Sequence, residues 1–390
     1  MNTRPLRLAI VAGEVSGDLL AADLVDYLQR IHQGPVELIG VGGDALEERG
    51  LKSFFDFSEL SIMGITQVLK RLPQLWRRIR QTVDQIVAAR PDALIIVDSP
   101  DFTHRVAKAV REKLPTLPVI DYVCPSVWAW KEYRAKKMLG YVDLVLALLP
   151  FEPRVMAKLG GPETRFVGHR LTVEPNVLQV RSARRNGDKT RVGGPRVLLL
   201  PGSRSTEINA LMPVLQESAE LILSRQPRAT FLLPTVPRQV GRVTELLKTW
   251  PVQPQLTCNH EEKWEAFAQA DVALAASGTV TLELALCGVP TVSIYKTDWL
   301  MTLLTKRIKV WSAALPNIIA DYPVIPEQIN VLLRPGYLAR WVDVLSADTP
   351  HRRAMLSGFD SLWDALSTDG APGEVGARHV LSLLKNRGII

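Results

Sequence analysis

Short runs of consecutive apolar residues recur along the chain, and most are followed by a turn or loop and then by a helix-like pattern. The runs are continuous rather than alternating, so they predict strands that are buried on both faces of a parallel α/β sheet. In the first half they cover residues 6–12, 36–41, 93–97, 119–123 and 144–149. In the second half they cover residues 197–200, 229–233, 272–275 and 289–295.

The two series of strands are separated by a polar, basic, glycine-bearing stretch over residues 168–195. Such a composition is typical of a linker, and its charge is expected to be solvated surface. A chain of 390 residues, 47% of them hydrophobic, can fill two cores. We therefore predict a Rossmann-like domain over 1–170, a linker over 171–195 and a second Rossmann-like domain over 196–349. A helical tail over 350–390 is expected to pack back on one of the domains, the N-terminal one included.

The formal net charge of +7 raises the question of nucleic-acid binding. Residues 70–80 contain five basic and no acidic residues, and residues 181–196 contain six basic and one acidic, so each window carries +5. Together these windows exceed the whole excess, and the rest of the chain is slightly acidic. The sequence therefore lacks the continuous basic face of a nucleic-acid-binding domain.

The cysteines and the N-terminus indicate the compartment. The three cysteines form no CxxC pair and cannot all be bridged within the chain, which favours a reducing environment. The apolar run after Arg7 meets Glu14 too soon for a signal peptide. No window approaches the roughly 18 apolar residues that are needed to span a bilayer. We predict a cytoplasmic protein.

In open α/β sheets, ligands bind beyond the carboxyl ends of the strands, so the loops there are the first candidates for a binding site. The first loop, AlaGlyGluValSerGlyAsp (12–18), has Val15 where a dinucleotide fingerprint requires a glycine, and it is not a Walker A loop either. Glu14 is a candidate ligand-binding acid or an ordinary loop residue. Ser16 or Asp18 is a candidate ligand contact or a helix cap.

The strand at 93–97 ends in AspSerProAspPhe, residues 98–102. A carboxylate just past a fully apolar strand lies at the ligand edge, where partly dry surroundings can raise its pKa toward the range of a general base. Asp98 is favoured because the strand fixes its direction. Asp101 is the competing candidate, and either residue is also a common turn former.

Two loops of the second half are suited to phosphate. LeuProGlySerArg (200–204) offers close backbone approach at Gly202, a helix cap at Ser203 or Ser205, and the planar guanidinium of Arg204. The stronger signal is SerGlyThrValThrLeuGlu (277–283), where a strand leads into a helix that is expected to end at Gly288. The N–H groups at Ser277, Gly278 and Thr279 would bind a diphosphate, and Glu283, one turn further in, would accept from ribose hydroxyls or lie on the surface.

The segment AspTyrValCysProSerValTrpAlaTrpLysGluTyrArg (121–134) places two of the nine tryptophans two residues apart beside a basic cluster. At the edge of the sheet, the rings of Trp128 and Trp130 could line a sugar or acyl path. The cations that follow (Lys131, Arg134, Lys136 and Lys137) would then face phosphate or headgroups. Packing in the core is the alternative for each ring.

Taken together, GlyGluValSerGlyAsp, AspSerProAspPhe, ProSerValTrpAlaTrp, LeuProGlySerArg and SerGlyThrValThrLeuGlu resemble, in order and spacing, the lipid A disaccharide synthase family of Gram-negative bacteria. The resemblance runs from the first strand to about Asn330. It implies a GT-B fold, with two Rossmann-like doubly wound domains facing a central cleft. It also implies an inverting transfer of diacylglucosamine from UDP-2,3-diacylglucosamine to 2,3-diacylglucosamine 1-phosphate (lipid X), giving the β-1,6-linked disaccharide 1-phosphate and UDP.

The resemblance implies roles for particular residues. Asp98 is the expected base, with Glu14 as its rival. Neither a cofactor nor a metal is expected, because the six histidines are scattered and AspSerProAsp lacks the DxD spacing of metal-using transferases. Substrate binding is expected from Ser16, Gly17, Asp101, Ser126, Trp128, Trp130, Gly202, Ser203, Arg204, Ser277, Gly278, Thr279, Glu283, Glu327 and Asn330.

Two departures from the family pattern affect expected contacts. The family usually has serine at the position of Cys124, and the thiol makes a weaker hydrogen bond. It usually has glutamine at the position of Asn330, which has a shorter reach. Three alternatives were kept: a UDP-sugar epimerase, a transferase acting on a peptidoglycan lipid precursor, and a peripheral membrane protein that binds nucleotide-sugar without turnover.

Acylated substrates require access to a membrane surface. Residues 70–80 carry Leu72, Leu75 and Trp76 at near-helical spacing among cations that include Arg77, Arg78 and Arg80, although Pro73 is expected to confine any helix to the later part. This segment is predicted to rest on the anionic inner-membrane surface, or else to pack on its own domain. Residues 299–311 are a second candidate, with core packing as the alternative. A second copy of the chain is a further candidate partner, in a homodimer.

Overall fold

The computed structural model describes residues 4–60, 65–186, 193–296 and 309–390, and for residues 65–72 it describes the backbone. The chain divides into two compact units. Unit 1 comprises Met1–Arg170 and Leu366–Ile390, and unit 2 comprises Leu171–Ala365. Each unit is a parallel sheet with helices, so the prediction of two Rossmann-like α/β domains is confirmed.

Unit 1 contains a seven-stranded sheet in the order β3-β2-β1-β4-β5-β6-β7. Its strands are β1 (Leu6–Ala12), β2 (Val36–Val41), β3 (Lys52–Ser53), β4 (Ala93–Val97), β5 (Val119–Tyr122), β6 (Leu144–Ala147) and β7 (Glu163–Phe166). Its helices are α1 (Val15–His32), α2 (Asp44–Glu47), α3 (Ile65–Ala89), α4 (Pro100–Lys113), α5 (Tyr133–Met138), α6 (Glu152–Lys158) and the last helix of the chain, α15 (Pro372–Asn386).

The centre of the first sheet explains the continuous apolar runs. Every residue of β4 is fully buried, because each face of the strand packs against helices. On one face Ile95 lies in a cluster with Leu24 of α1, and on the other Ile96 lies in a cluster with Val106 of α4. A strand covered on both faces needs no polar alternation.

Unit 2 contains a six-stranded sheet in the order β10-β9-β8-β11-β12-β13. Its strands are β8 (Arg196–Leu200), β9 (Thr230–Pro234), β10 (Gln255–Thr257), β11 (Val272–Ala276), β12 (Thr291–Tyr295) and β13 (Glu327–Ile329). Its described helices are α7 (Pro175–Asn186), α8 (Ser205–Arg225), α9 (Val240–Leu247), α10 (His260–Gln269), α11 (Thr279–Cys287), α12 (Leu315–Ala320), α13 (Pro335–Ser346) and α14 (Pro350–Leu366).

Each sheet has one point at which the chain reverses its direction of travel across the strands. In unit 1 the chain leaves β1 toward β2 on one side and leaves β4 toward β5 on the other, so the switch point lies between β1 and β4. In unit 2 it lies between β8 and β11. Crevices at such points, beyond the carboxyl ends of the strands, are where open α/β sheets bind ligands.

The boundaries drawn from the sequence differ from the structure at the predicted linker, 171–195. Helix α7 lies within this stretch, and its arginines are not merely solvated. Arg181 donates to the carbonyl of Leu286 at 3.0 Å, and Arg184 donates to the carbonyl of Gly288 at 3.0 Å. These carbonyls lie at the C-terminal end of α11, where cations are favourable, so the basic residues fix α7 to unit 2.

The C-terminal tail is shared between the units, since α14 belongs almost wholly to unit 2 and α15 belongs to unit 1. Helix α15 packs against α1 at very short range. The amide of Gly373 donates to Asp23 Oδ2 at 3.1 Å, and a Cβ at Gly373 would lie only 2.4 Å from the same oxygen. Only glycine permits this approach of the two helices.

The expectation that Pro73 confines the basic helix to its later part was wrong. Helix α3 runs from Ile65 to Ala89 with Pro73 inside it. Proline inside a helix removes the hydrogen bond that its own N–H would have made, and its ring crowds the carbonyl four residues earlier, so other interactions must offset this cost. The rest of α3 is held by packing, since Ile79, Val83 and Ile86 are buried in the core of unit 1.

Candidate active site

The switch point of unit 1 brings together two loops that the sequence singled out. Ala12 of β1 pairs with Val97 of β4, so the residues that follow them leave the sheet side by side. Ser16 Oγ donates to Asp98 Oδ2 at 3.5 Å, and Ser99 Oγ donates to Glu14 Oε1 at 3.3 Å. The structure therefore places both candidate bases at one edge of one sheet.

Two glycines allow this approach. A Cβ on Gly13 would lie 2.1 Å from Ser99 Cβ, which no packing permits. A Cβ on Gly17 would lie 3.4 Å from Asp98 Cβ and 3.3 Å from the carbonyl oxygen of Val97, so this side is also tightly filled. The sequence indicated Gly17 but missed Gly13, whose contact depends on a residue 86 positions away.

Asp98 is held in an uncommon backbone conformation. Asp98 has φ +55° and Ser99 has φ +45°, both in the left-handed region that favours glycine. Asp98 Oδ1 accepts from the amide of Ser99 at 2.7 Å, and the Asp98 carbonyl accepts from Thr103 Oγ1 at 2.6 Å. Such strain concentrates at functional sites when the surroundings fix it, as these bonds do here.

The suggestion that Ser16 or Asp18 caps α1 was not correct, because Glu14 is the N-cap and no side chain makes the cap bond. Asp18 is buried and serves a different loop. Its two carboxylate oxygens accept from the amides of Gly43 at 2.7 Å and Ala45 at 2.9 Å, at the start of α2. A carboxylate satisfies the unpaired N–H groups of a helix N-terminus.

The tryptophan loop follows β5 at the same edge. Ser126 is exposed and accepts backbone hydrogen bonds from Ala129 at 3.0 Å and Trp130 at 3.3 Å, which form a tight turn. Trp128 is half-buried, with its Nε1 donating to Glu152 Oε1 at 3.1 Å. Trp130 is 46% exposed. The two rings thus have different environments, and the sequence could not separate them.

Trp130 belongs to a surface that continues onto α4 and α3. Lys131 Nζ lies 3.9 Å from the centre of the Trp130 ring, and Arg134 lies 5.8 Å from it. Arg134 also contacts Asp101, which lies one turn before Arg105 on α4. Arg105 in turn stacks over Trp76 of α3 at 5.0 Å. We name this the aromatic–cationic surface, formed by Trp76, Arg77, Arg80, Arg105, Trp130, Lys131 and Arg134.

The structure changes the membrane prediction for α3. Leu75 is partly buried against the core rather than free. Arg78 forms an ion pair with Glu59 at 2.5 Å, so its charge is already neutralised. Trp76, Arg77 and Arg80 remain on the exposed face. The side chain of Leu72 and residues 299–308 of the second membrane candidate lie outside the described part of the chain.

A buried polar group beneath the tryptophan loop was missed by sequence reasoning. Asp121 of β5 is 1% exposed, and His104 Nε2 lies 3.2 Å from its Oδ2. His104 Nδ1 contacts the Tyr141 hydroxyl at 3.1 Å. Burial raises the pKa of Asp121, and the neighbouring His104 opposes this rise. These residues come from three separate parts of the chain, namely β5, α4 and the loop after α5. No local sequence motif therefore predicts that they meet.

In unit 2 the loop after β8 is organised by a residue outside the predicted set. Glu207 Oε2 accepts from the amides of Ser203 at 3.1 Å and Arg204 at 3.2 Å, and Glu207 Oε1 accepts from the Arg204 guanidinium at 2.7 Å. The N-cap of α8 is Arg204, not Ser203 or Ser205. Gly202 has φ +104°, and a Cβ there would lie 2.5 Å from Glu207 Oε2. Arg204 remains 76% exposed and thus accessible to a ligand.

The loop after β11 lies beside the loop after β8 at the switch point, since Ala275 pairs with Leu200. Gly278 is the N-cap of α11, and its N-terminal turn begins at Thr279. The first N–H groups of a helix have no partner within it, so they can meet an anion. Contrary to the prediction, Ser277 is not one of these donors, because its N–H donates to the carbonyl of Ile294 at 2.9 Å. Its Oγ donates to the carbonyl of Ala313 at 2.8 Å, which attaches this loop to the next one.

Glu327 of β13 holds the segment that leads into α12 and includes its first residues. Its Oε1 accepts from the amide of Ala313 at 2.9 Å, and its Oε2 accepts from Ser312 Oγ at 2.5 Å and Asn317 Nδ2 at 3.2 Å. Glu327 therefore supports the position of Ser277 through Ala313. Asn330, just past β13, has φ +51°, a conformation that asparagine tolerates better than most residues.

Glu283 faces inward from α11 and forms a salt bridge to Lys263 of α10 at 2.6 Å. Its side chain is 20% exposed, so the alternative of an ordinary surface residue does not apply. Lys263 occupies part of the carboxylate. The lysine was not among the predicted site residues, because it lies 20 positions earlier and on another helix.

The described residues contain neither a metal-binding cluster nor a membrane-spanning helix. No grouping of three or more His, Cys, Asp or Glu side chains in residues 4–60, 65–186, 193–296 and 309–390 is arranged to hold a metal ion. Within the same ranges, no helix has both the length and the apolar character that a membrane crossing requires.

Comparison with known sequences identifies relatives over almost the whole chain. The family described as Lipid-A-disaccharide synthetase matches residues 8–345. A Lipid-A-disaccharide synthase of Nitrobacter winogradskyi is 42% identical over 381 residues, covering 97% of this chain and 96% of that protein. One from Rhodopseudomonas palustris strain HaA2 is 43% identical over 384 residues, covering 97% and 96%.

Solved structures with the same fold are more distant in sequence. MurG of Acinetobacter baumannii superposes with a TM-score of 0.57 at 13% identity, covering 98% of this chain and all of that chain (100%). A UDP-GlcNAc 2-epimerase of Methanocaldococcus jannaschii, in complex with UDP-GlcNAc and UDP, superposes with a TM-score of 0.58 at 13% identity, covering 96% and 99%. At such identities the likeness establishes the GT-B fold and nothing finer.

Proposed function

Because the chain belongs to the lipid-A-disaccharide synthetase family, we infer that it is an inverting glycosyltransferase of lipid A biosynthesis. It condenses UDP-2,3-diacylglucosamine with 2,3-diacylglucosamine 1-phosphate and releases the β-1,6-linked disaccharide 1-phosphate and UDP. The observation that carries this function is the match at about 40% identity along nearly the full chain. A UDP-sugar is the donor, and the diacylated acceptor is our finer proposal.

The chemistry of the two switch points suits the two halves of this reaction. Unit 1 presents carboxylates, which can take a proton from an acceptor hydroxyl. Unit 2 presents a helix N-terminus and an exposed guanidinium, which suit a diphosphate. The combination supports a displacement in which a hydroxyl replaces UDP at an anomeric carbon.

We assign the role of base to Asp98. Its carboxylate takes the proton of the acceptor 6-hydroxyl as that oxygen forms its bond to the anomeric carbon. The bond from the anomeric carbon to the diphosphate oxygen breaks on the opposite face, which inverts the configuration. The short bonds of Asp98 to Ser99 and Thr103 fix its direction, which favours it over the more exposed Glu14.

The departing UDP gains negative charge, and the donors of unit 2 would meet it. The first N–H groups of α11, at Gly278 and Thr279, lie at the helix start, and Arg204, which Glu207 holds on one side, would add the remaining N–H donors of its exposed guanidinium. Fixed donors at a developing charge are worth several kcal/mol, about 3 for a single donor. We propose that these protein groups carry out the charge stabilisation without a metal ion. Full activity in excess EDTA is the expected result.

The base is tested with Asp98→Asn and Glu14→Gln in parallel, with UDP release as the readout. Asp98→Asn is expected to lower kcat by at least about 100-fold, the usual contribution of a general base, and to leave UDP binding intact. Glu14→Gln is expected to have a much smaller effect. A reversed order of the two losses would transfer the role to Glu14, and unchanged turnover in Asp98→Asn would remove the residue from the mechanism.

For the acylated substrates we propose that the protein works at the cytoplasmic face of the inner membrane, with the aromatic–cationic surface of unit 1 against anionic headgroups. Tryptophan and arginine are typical of the headgroup level of a membrane. There an aromatic ring can contact the apolar acyl chains on one side and water on the other. Trp76 is 54% exposed and stacked by Arg105, and Arg77 and Arg80 lie on the same helix face. The homodimer stays a prediction.

The test of this surface is co-sedimentation with vesicles of phosphatidylglycerol and phosphatidylcholine. Neutralising Arg77 and Arg80 to glutamine is expected to weaken partitioning about 30-fold, at about 1 kcal/mol per cation near the surface. The matched control changes Arg30 and Lys385, which are also exposed on unit 1, by the same two charges. Equal losses in both variants would show that only net charge matters.

A further inference from the structure

Glu152 is a buried carboxylate that the reaction as described does not use. It begins α6, after the short turn over residues 148–151 that follows β6, and is 3% exposed. Its Oε1 accepts from Trp128 Nε1 at 3.1 Å, and its Oε2 accepts from the amide of Leu149 at 3.0 Å. Burial raises the pKa of Glu152 to about 8. A carboxyl group is costly to bury unless hydrogen bonds compensate, and here Trp128 and the amide of Leu149 supply them.

Trp128 is the partner that reaches out of this core. Its ring meets Phe151 edge to face, with the centres 5.3 Å apart, and its N–H points to Glu152. The ring is only half-buried, so part of it faces out from the carboxyl edge of the sheet. Glu152 and Phe151 therefore determine the position and tilt of an accessible aromatic surface.

The backbone on either side shows why such an anchor is needed. Val123 at the start of the loop has φ +87°, an unfavourable value for a β-branched residue, and Lys131 at its end has φ +54°. A loop that enters and leaves through strained conformations needs a side-chain contact to hold it. Within residues 124–130, Trp128 makes the contact to a buried carboxyl group, that of Glu152.

We propose that Glu152 is a positioning residue for the acceptor: by holding the Trp128 indole it fixes the ProSerValTrp segment in the form that binds the monosaccharide phosphate. The proposal rests on the proposed function for its substrate. It differs from a purely structural role for Glu152, which would affect stability without selecting between the two substrates.

The experiment is a double-mutant cycle with Glu152→Ala, Trp128→Phe and the combined variant, assayed for the KM of each substrate. Each single variant is expected to raise the acceptor KM about 10-fold, the upper end of the effect of losing one buried hydrogen bond. The KM for the UDP donor should not change. The combined variant should match the singles, because both remove the same contact. Glu152→Gln keeps an acceptor oxygen and should stay within about threefold of the parent.

The matched control is Asp92→Asn. Asp92 is also a buried carboxylate of unit 1 that accepts from a backbone amide, that of Arg7 at 2.9 Å, but it lies at the amino edge of the sheet. Its variant is expected to lower the unfolding temperature without moving either KM. If Glu152→Ala behaves in the same way, or if the single effects add in the double variant, the positioning role is wrong.

A second readout does not depend on the reaction. Hydrogen exchange followed by mass spectrometry should show faster exchange of residues 124–130 in Glu152→Ala, with the amides around Asp98 unchanged. Unchanged exchange in 124–130 would overturn the proposal whatever the activity. Faster exchange together with no disaccharide synthesis by the parent protein would instead retain the positioning of the loop and refute the proposed function.

Discussion

Gly13→Ala is a minimal change that tests whether the contact between the loops of β1 and β4 is required for catalysis. The new Cβ would lie 2.1 Å from Ser99 Cβ and 2.6 Å from Ser99 Oγ. Neither atom is the end of a long side chain that could rotate away. The strain must therefore be relieved by moving the backbone that carries Asp98.

The size of the effect follows from the distances. A relaxed contact between two carbons is about 3.5–4.0 Å, so the loops must separate by about 1.4 Å or more. Overpacking of this kind costs about 1–3 kcal/mol of stability. A displacement of about 1 Å at a reacting group costs about 100-fold in rate. We therefore expect kcat to fall about 100-fold in Gly13→Ala while the protein remains folded at 25 °C.

The assay combines initial rates of UDP release with thermal unfolding and UDP binding. Ser99→Gly in the same chain removes the clashing atoms and suits the φ of +45°, so the double variant should recover most of the activity. Gly241→Ala, where the added Cβ meets nothing within 4 Å, is the control and should keep its kcat. Unchanged turnover in Gly13→Ala, or no recovery on removing the Ser99 side chain, would refute this reasoning.

Three further results are expected. Glu283→Gln should raise the KM for the UDP donor about 10-fold by weakening hydrogen bonds to the ribose. Lys263→Met should lower the unfolding temperature and change that KM less. Equal effects of the two variants on the KM would assign the role to the ion pair. Burial lowers the pKa of His169 from 6.5 to about 4. The stability that depends on the neutral ring is therefore present above pH 6.5, and about 3 kcal/mol of it is lost as the pH falls toward 4. Chemical unfolding at pH 7 and 4.5 should show this loss, and His169→Gln should reduce it. Glu327→Ala should cost about 1–3 kcal/mol of stability and raise the donor KM, because three donors lose their acceptor; an unchanged KM would separate Glu327 from the nucleotide site.

The central strands and their loops were predictable because their signals are local. The run at 93–97 is apolar throughout, and the structure buries all of it. Gly288 was expected to end a helix, and it has φ +74° at the C-cap of α11. The position of the loops at the carboxyl edge also followed, since parallel strands present their following loops at one edge.

What the sequence did not reveal depends on contacts between distant residues. Glu207 was overlooked because its carboxylate turns back onto the loop before it, where the sequence suggested a serine cap. The partnership of Glu152 and Trp128 joins two loops, and a lone glutamate beside a proline carries no signal for it. Helix α7 was predicted to be a linker because its sequence is polar and basic. In the structure its arginines donate to carbonyls at the C-terminal end of α11. The local sequence pattern predicts which element carries a side chain, but not which distant group the side chain contacts.

Incubation of the purified protein with UDP-2,3-diacylglucosamine and 2,3-diacylglucosamine 1-phosphate, with products analysed by mass spectrometry and NMR, tests the proposed reaction most directly. We predict equal amounts of UDP and a β-1,6-linked disaccharide 1-phosphate, and loss of both in Asp98→Asn. UDP accompanied by free diacylglucosamine, an epimerised donor, or an α-linked product would contradict the assignment of an inverting disaccharide synthase.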